Sequence, residues 1–220
     1  MNEKLRKIWD DFCRQNHIAD EGKPLFECVG GRVSTKEIGW KPKHKVLVRS
    51  SEVDIYLIKT AVSLREDYDG KDGKYEGILY LMFRKQGRKV VPLYIGKTEK
   101  IGRKGELSNL LKGSSPKPRW DDGPDYHIGG LSTCVCPGYT GKRVKKHYRT
   151  WATSLFLKTP SGQPRLRHKV FLWLRLWKVG EVGLWRDFGA TSLCLQETLL
   201  INVAHVLHPD DLLNTEGILR

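Results

Sequence analysis

GILYLMFRKQGRKVVPLYIGKT, residues 77–98, is the stretch whose reading sets the fold. Residues 77–83 are an apolar run of strand length. Residues 84–89 are polar and contain Gly87, the composition of a turn. Residues 90–95 make a return strand, closed by Gly96. The pattern predicts a β-hairpin. A plain hairpin needs no Tyr-Ile-Gly at the end of its second strand and no run of cations behind it. From Arg84 to Lys104, eight Lys or Arg stand against one acid, Glu99.

The charge of the whole chain extends that bias. The 220 residues carry a formal charge of +14, which favours a polyanionic partner: nucleic acid or an anionic surface. Residues 181–220 hold six acids against two bases, a net −4, so the first 180 carry +18. A basic body with an acidic end suits an enzyme that binds phosphates and holds a metal ion. Hydrophobic residues make up 39% and seven are Trp, enough to build a core and to exclude global disorder. The N-terminus has no apolar signal region, and the longest apolar runs are shorter than a membrane span. Five scattered cysteines form no disulfide framework. The expectation is a cytoplasmic, reduced protein without a membrane partner.

Outward from the hairpin, residues 2–18 have helical periodicity through Leu5, Ile8, Trp9 and Phe12. Residues 46–48 suit a short strand, and residues 53–64 fit strand or helix. Residues 67–74, DYDGKDGK, form a loop that lacks the acidic spacing and closing Glu of a calcium-binding hand. After the hairpin a short helix is expected over 106–112. Residues 114–142 are mostly loop, with Lys117, Arg119, Trp120, Tyr126 and His127 interleaved. A basic helix over 143–157 carries Arg143, Lys145, Lys146 and Arg149 away from an inner stripe of Val144, Tyr148, Trp151, Ala152 and Leu155. Residues 169–178 are apolar on both alternating faces, as in a central strand covered on both sides. A last helix spans 191–207.

Two side chains stand out before any comparison with known families. Glu197 lies on an apolar helical stripe, where a carboxylate must be paired, protonated or bound to metal. The choice is between an arginine salt bridge and a hard cation such as Mg²⁺ held by one carboxylate, water and phosphate. Tyr94 closes a strand beside Gly96, which lets substrate or backbone approach closely. Its hydroxyl could orient or deprotonate a water if Lys97 or Arg103 lowers its pKa. Cys134 and Cys136, with His127 and His147 nearby, lack the usual zinc spacing and are read as buried thiols.

Gly77-Ile78 with Tyr80, followed by Tyr94-Ile95-Gly96-Lys97-Thr98, resembles the GIY-YIG nuclease family. That family has two strands carrying these triplets, a helix with a catalytic arginine, and a later helix with one metal-binding glutamate. Glu197, in Gln196-Glu197-Thr198, matches that glutamate. Asn214, in Leu212-Leu213-Asn214-Thr215, is similar to an asparagine of the restriction-endonuclease branch, and Glu106-Leu107-Ser108-Asn109 repeats that branch's helix opening. The resemblance runs from Gly77 to Asn214 as ordered islands and leaves out the first 70 residues. Leu79 stands where the family has its first tyrosine, and Tyr80 comes one residue later. Strand side chains alternate, so this shift puts Tyr80 on the opposite face unless a bulge intervenes. Leu110 stands where the restriction branch has arginine; Arg119 is the preferred replacement and Arg103 the fallback.

The resemblance implies an α+β fold, with a small, mainly antiparallel three-stranded sheet (77–83, 90–95, 169–178) flanked by helices. Residues 1–70 become a helical or mixed extension. Residues 71–220 become the nuclease-like domain, with a DNA-binding insertion at about 114–165. It also implies single-metal phosphodiester hydrolysis of DNA, double-stranded in the sense of a restriction or anti-phage enzyme. Glu197 holds one Mg²⁺ or Mn²⁺. Tyr94 or Tyr80 handles the attacking water, and Lys97 lowers that pKa. Arg119 or Arg103 stabilises the phosphate, Asn214 binds phosphate or water, and His127 shuttles a proton. Lys117, Arg143, Lys145, Lys146 and Arg149 grip the backbone. A homodimer would suit a palindrome. Two alternatives stay open: a structure- or single-strand-specific repair or mobile-element nuclease, and a non-catalytic nucleic-acid-binding domain.

Overall fold

The computed structural model describes residues 2–38, 44–102, 105, 107, 129–138 and 146–218. In chain order these form α1 (Asn2–Gln15), α2 (Ile18–Glu21), β1 (Lys23–Pro24), β2 (Cys28–Val29), β3 (Arg32–Val33), β4 (Thr35–Ile38), β5 (His44–Leu47) and α3 (Ser51–Asp69). They continue with β6 (Tyr75–Gln86), β7 (Lys89–Glu99), α4 (Gly129–Val135), α5 (Lys146–Leu155), β8 (Val170–Lys178) and α6 (Leu193–Leu207). The class is α+β. The main sheet is antiparallel with four strands in the order β1-β8-β6-β7, one more than the sequence predicts. The added strand is only Lys23–Pro24, paired with Phe171 and Leu172. Two residues leave no periodicity to read, and proline is tolerated there because β1 is an edge.

The hairpin turns through Gly87, whose φ of 61° is the left-handed value that favours glycine, and pairing resumes at Gln86 with Lys89. Ten residues of β6 then pair with β7, interrupted by one β-bulge. Phe83 faces Pro92 but Met82 faces Tyr94, so Leu93 is the extra residue. Pro92 thus sits on an edge strand at a bulge, where its missing N–H does least harm. Beyond the bulge Leu81 faces Ile95 and Tyr80 faces Gly96.

The sheet separates two apolar cores. One packs Ile78, Met82, Leu172 and Leu174 against Leu57 and Leu64 of α3, Leu131 and Val135 of α4, and Trp151 and Leu155 of α5. The other packs Leu79, Leu81, Phe83 and Trp173 against Trp9 and Phe12 of α1, Ile18 of α2, and Leu200, Ile201 and Ala204 of α6. Strands β6 and β8 are buried on both faces, which is why they read as continuous apolar runs. From the first 70 residues Trp9, Leu25, Leu57 and Leu64, and from the described part of the insertion Leu131, Val135, Trp151 and Leu155, belong to these cores.

The ambiguous stretch at 53–64 is helical. Ser50 caps α3, its hydroxyl accepting the Val53 N–H at 3.1 Å. The DYDGKDGK loop is organised by Asp67, whose carboxylate takes the Lys100 ammonium at 2.5 Å and the Lys74 and Tyr75 N–H groups. Those donors leave it a structural turn. The predicted helix at 106–112 lies outside the described residues except Leu107, which bridges to Ile101. No described helix is long and apolar enough to cross a membrane. All five cysteines are free, with Cys13 and Cys136 buried.

Candidate active site

Two glycines let the site assemble. A methyl on Gly96 would fall 2.4 Å from both Cζ and the hydroxyl of Tyr80. The Tyr80 ring therefore lies directly on the Gly96 backbone. A methyl on Gly77 would meet the Thr98 carbonyl at 2.1 Å and the Leu193 side chain at 2.7 Å. Gly77 thus admits the first residue of α6 against the hairpin. Glu76 fixes that contact, its carboxylate accepting the Leu193 N–H at 2.7 Å, and Ser192 caps the helix by accepting from Leu195. Glu76 is the unpaired residue of a second register shift, between Tyr75 and Gly77, which turns its side chain to the helix.

The two tyrosines share a face. Their ring centroids are 6.1 Å apart at 30°, and each hydroxyl influences the other's ionisation. The bulge left open by the sequence is present, at Leu93. Without it, counting from the turn would set Tyr94 opposite Leu81; with it, Tyr94 stands opposite Met82, on the face of Tyr80. Leu79 points into the other core, 1% exposed.

The free edge of β7 collects the remaining groups. Leu93 accepts the Leu213 N–H at 2.7 Å. Ile95 donates to the Asn214 side-chain oxygen at 2.9 Å and accepts from the Asn214 amide nitrogen at 2.8 Å. Two residues on, the Glu197 carboxylate comes near the Lys97 backbone and side chain, both of which favour its charged form. An edge strand leaves alternate N–H and C=O groups unpaired, and burial demands partners for them. That requirement, met from 119 residues away, brings the C-terminal segment to Tyr94. The Asn214 amide thus pairs with the Ile95 backbone, a role the sequence did not indicate, and it also lines the pocket described below.

The electrostatics also differ from expectation. Burial pushes the Tyr80 and Tyr94 hydroxyls above the usual phenol value, and the Glu197 charge pushes them further. Lys97 does not lower them. Burial works against its own charge, but its ammonium is held by Glu99 at 2.5 Å and its pKa is raised. Both tyrosines are therefore neutral phenols at pH 7, suited to orient a water rather than to enter the reaction as phenolates. Burial likewise raises the Glu197 pKa against the lowering influence of Lys97, with Glu99 adding to the rise.

A carboxylate disfavoured by burial and by a second carboxylate gains from a cation. Its oxygens are hard donors of the type that Mg²⁺ or Mn²⁺ takes together with water and substrate oxygens. Among the described residues no three His, Cys, Asp or Glu gather as metal ligands, and no arginine salt bridge to Glu197 is formed. Arg103, Lys117, Arg119, His127, Arg143 and Lys145 lie outside the described residues. Lys146 and Arg149 are exposed, on the outer face of α5.

Beside the tyrosines lies a pocket of about 170 Å³ lined by Tyr80, Tyr94, His147, Tyr148, Trp151 and the 213–216 segment. His147 and Glu216 were not anticipated as site residues, and Tyr148 and Trp151 were read only as a packing stripe. The signal was present in that stripe: His147 and Trp151 are one helical turn apart. A larger cleft of about 460 Å³, between Glu27, Glu52 and Arg167–Lys169, is remote from these groups; convergent side chains, not volume, mark the site. Compared with known proteins, the chain matches no family model, no curated protein and no solved structure.

Proposed function

We propose that this protein is a metal-dependent DNA endonuclease of the GIY-YIG kind, acting as a restriction or anti-phage enzyme in the cytoplasm. The observation that carries the reading is the convergence of Tyr80, Tyr94, Lys97 and Glu197 at one end of the β6–β7 hairpin. These are the residues the sequence resemblance singles out, and nothing in their chain positions alone requires them to meet.

In this reading Glu197 would hold one Mg²⁺ or Mn²⁺, with water and substrate oxygens as the other ligands. The chemistry such an ion supplies is stabilisation of negative charge on the phosphate and on the leaving 3′-oxygen. The Lys97 N–H would orient the nearby Glu197 carboxylate. A hydrogen bond from the Tyr80 hydroxyl to the Tyr94 oxygen would leave the Tyr94 O–H to orient the attacking water, both phenols staying neutral. Lys97 and Glu99 form a fixed pair at the rim, and Arg119 or Arg103 neutralises the phosphate. Lys146 and Arg149 contact the backbone, and double-strand cutting at a palindrome would use a homodimer.

The test is incubation of supercoiled plasmid with the protein across Mg²⁺, Mn²⁺ and a range of salt, beside Glu197→Ala. Metal-dependent nicking or linearisation by the wild type alone is expected. An intact plasmid under every condition rejects the enzyme and leaves a nucleic-acid-binding domain. Discrete fragments indicate site-specific restriction, and smears indicate a repair-type or nonspecific enzyme.

A further inference from the structure

We infer that the aromatic pocket beside Tyr94 receives one nucleobase turned out of the helix next to the cut phosphate, so that DNA with a base already unpaired there binds tighter than the same duplex fully paired. The inference rests on the nuclease reading for the cut and on the pocket for the base. Five rings form its wall as a connected series. Tyr94 lies 4.7 Å from Trp151, Trp151 5.9 Å from Tyr148, and Tyr148 4.2 Å from His147, between centroids, with Tyr80 beyond Tyr94.

The wall is rigid. Tyr148 lies on Gly130 of α4, where a methyl would come within 2.2 Å of its ring. Trp151 is 5% exposed and is held between the rings of Tyr94 and Tyr148.

Size and charge choose the occupant. At about 170 Å³ the pocket is well below the roughly 300 Å³ at which typical small-molecule sites begin. One ring system fits, and a whole nucleotide does not. A paired base offers only its edges, because its faces are stacked within the duplex; an unpaired base can lay a face on an aromatic wall. Aromatic rings with a carboxylate, here Glu216, also suit an organic cation. The +14 chain opposes the approach of a cation and attracts a polyanion, and Lys146 and Arg149 flank His147 and Tyr148 on the same helix. Aromatic walls beside backbone-tracking cations are the arrangement that binds single strands.

The experiment uses the full chain carrying Glu197→Gln, without metal, and two DNA hairpins. One has a single bulged 2-aminopurine; the other pairs the same 2-aminopurine with thymine. The bulged DNA should bind about tenfold tighter, with its fluorescence quenched on binding. Trp151→Phe and, independently, Tyr148→Ala should shrink that preference to within about threefold while melting cooperatively. Equal affinities with unchanged fluorescence overturn the inference, as does displacement by tetramethylammonium without competition from nucleosides. Wild-type cleavage with Mg²⁺ separates the two readings. Quenching without cleavage in any metal leaves the base pocket and removes the nuclease. Equal cleavage of both hairpins without quenching does the reverse.

Discussion

At the scale of single residues, two positions bear most of the account. Gly96 exists to carry the Tyr80 ring. Gly96→Ala should displace that ring, cost about 1–3 kcal/mol of stability and lower cleavage at least about tenfold. In a Tyr80→Ala background the stability cost should vanish, which thermal melts of the double-mutant cycle would read. Glu197 carries strain of another kind. Its pKa is raised chiefly by burial, so the folded chain holds this proton more tightly than the unfolded chain. Stability from the group is full below the ordinary glutamate value and is lost as pH rises through the folded value. Glu197→Gln should therefore melt above the wild type near pH 7, with the difference closing toward about pH 4. Mg²⁺ should raise the melting temperature of the wild type and not of the variant. A variant that melts lower at every pH would show Glu197 to be a structural pair partner.

At the scale of elements, the free edge of β7 organises the site. Asn214→Ala removes two hydrogen bonds and leaves the Ile95 N–H and C=O without partners. It should cost about 2–3 kcal/mol and loosen the segment from His208 to Glu216, seen as faster amide exchange at Ile95 and Leu213. Asp67→Ala, by unpairing a Lys100 that is itself 13% exposed, should cost about 3 kcal/mol by chemical denaturation. The hairpin, α6 and β8 were legible because their apolar periods run for nine residues or more. The bulge at Leu93 was not, because a one-residue register shift leaves no mark on composition; Pro92 in a strand was its nearest sign. Nor was the role of Asn214, because its family match named a position and not a hydrogen-bond partner. His147 and Glu216 escaped because each joins the pocket only once α5 and the C-terminal segment are folded against β7.

At the scale of the whole molecule, both cores draw on both ends of the chain. Helix α1 packs with α6 on one side of the sheet, while α3 packs with α4 and α5 on the other. The acidic C-terminal region is distributed rather than massed: Glu197 and Glu216 stand near Tyr94, while Asp211 pairs with Arg84 at 3.1 Å. The +18 borne by the first 180 residues is left to face a polyanion, so affinity for DNA should fall steeply with salt. The central claim is that Glu197 and Tyr94 form one hydrolytic site. The most direct test is the single-turnover rate of Mg²⁺-dependent cleavage of end-labelled DNA by the wild type and by Glu197→Gln. The account predicts a fall of at least about 10³-fold, or roughly 4 kcal/mol of transition-state stabilisation, with DNA affinity retained. A variant that cuts within about threefold of the wild type, or a wild type that does not cut, would contradict it.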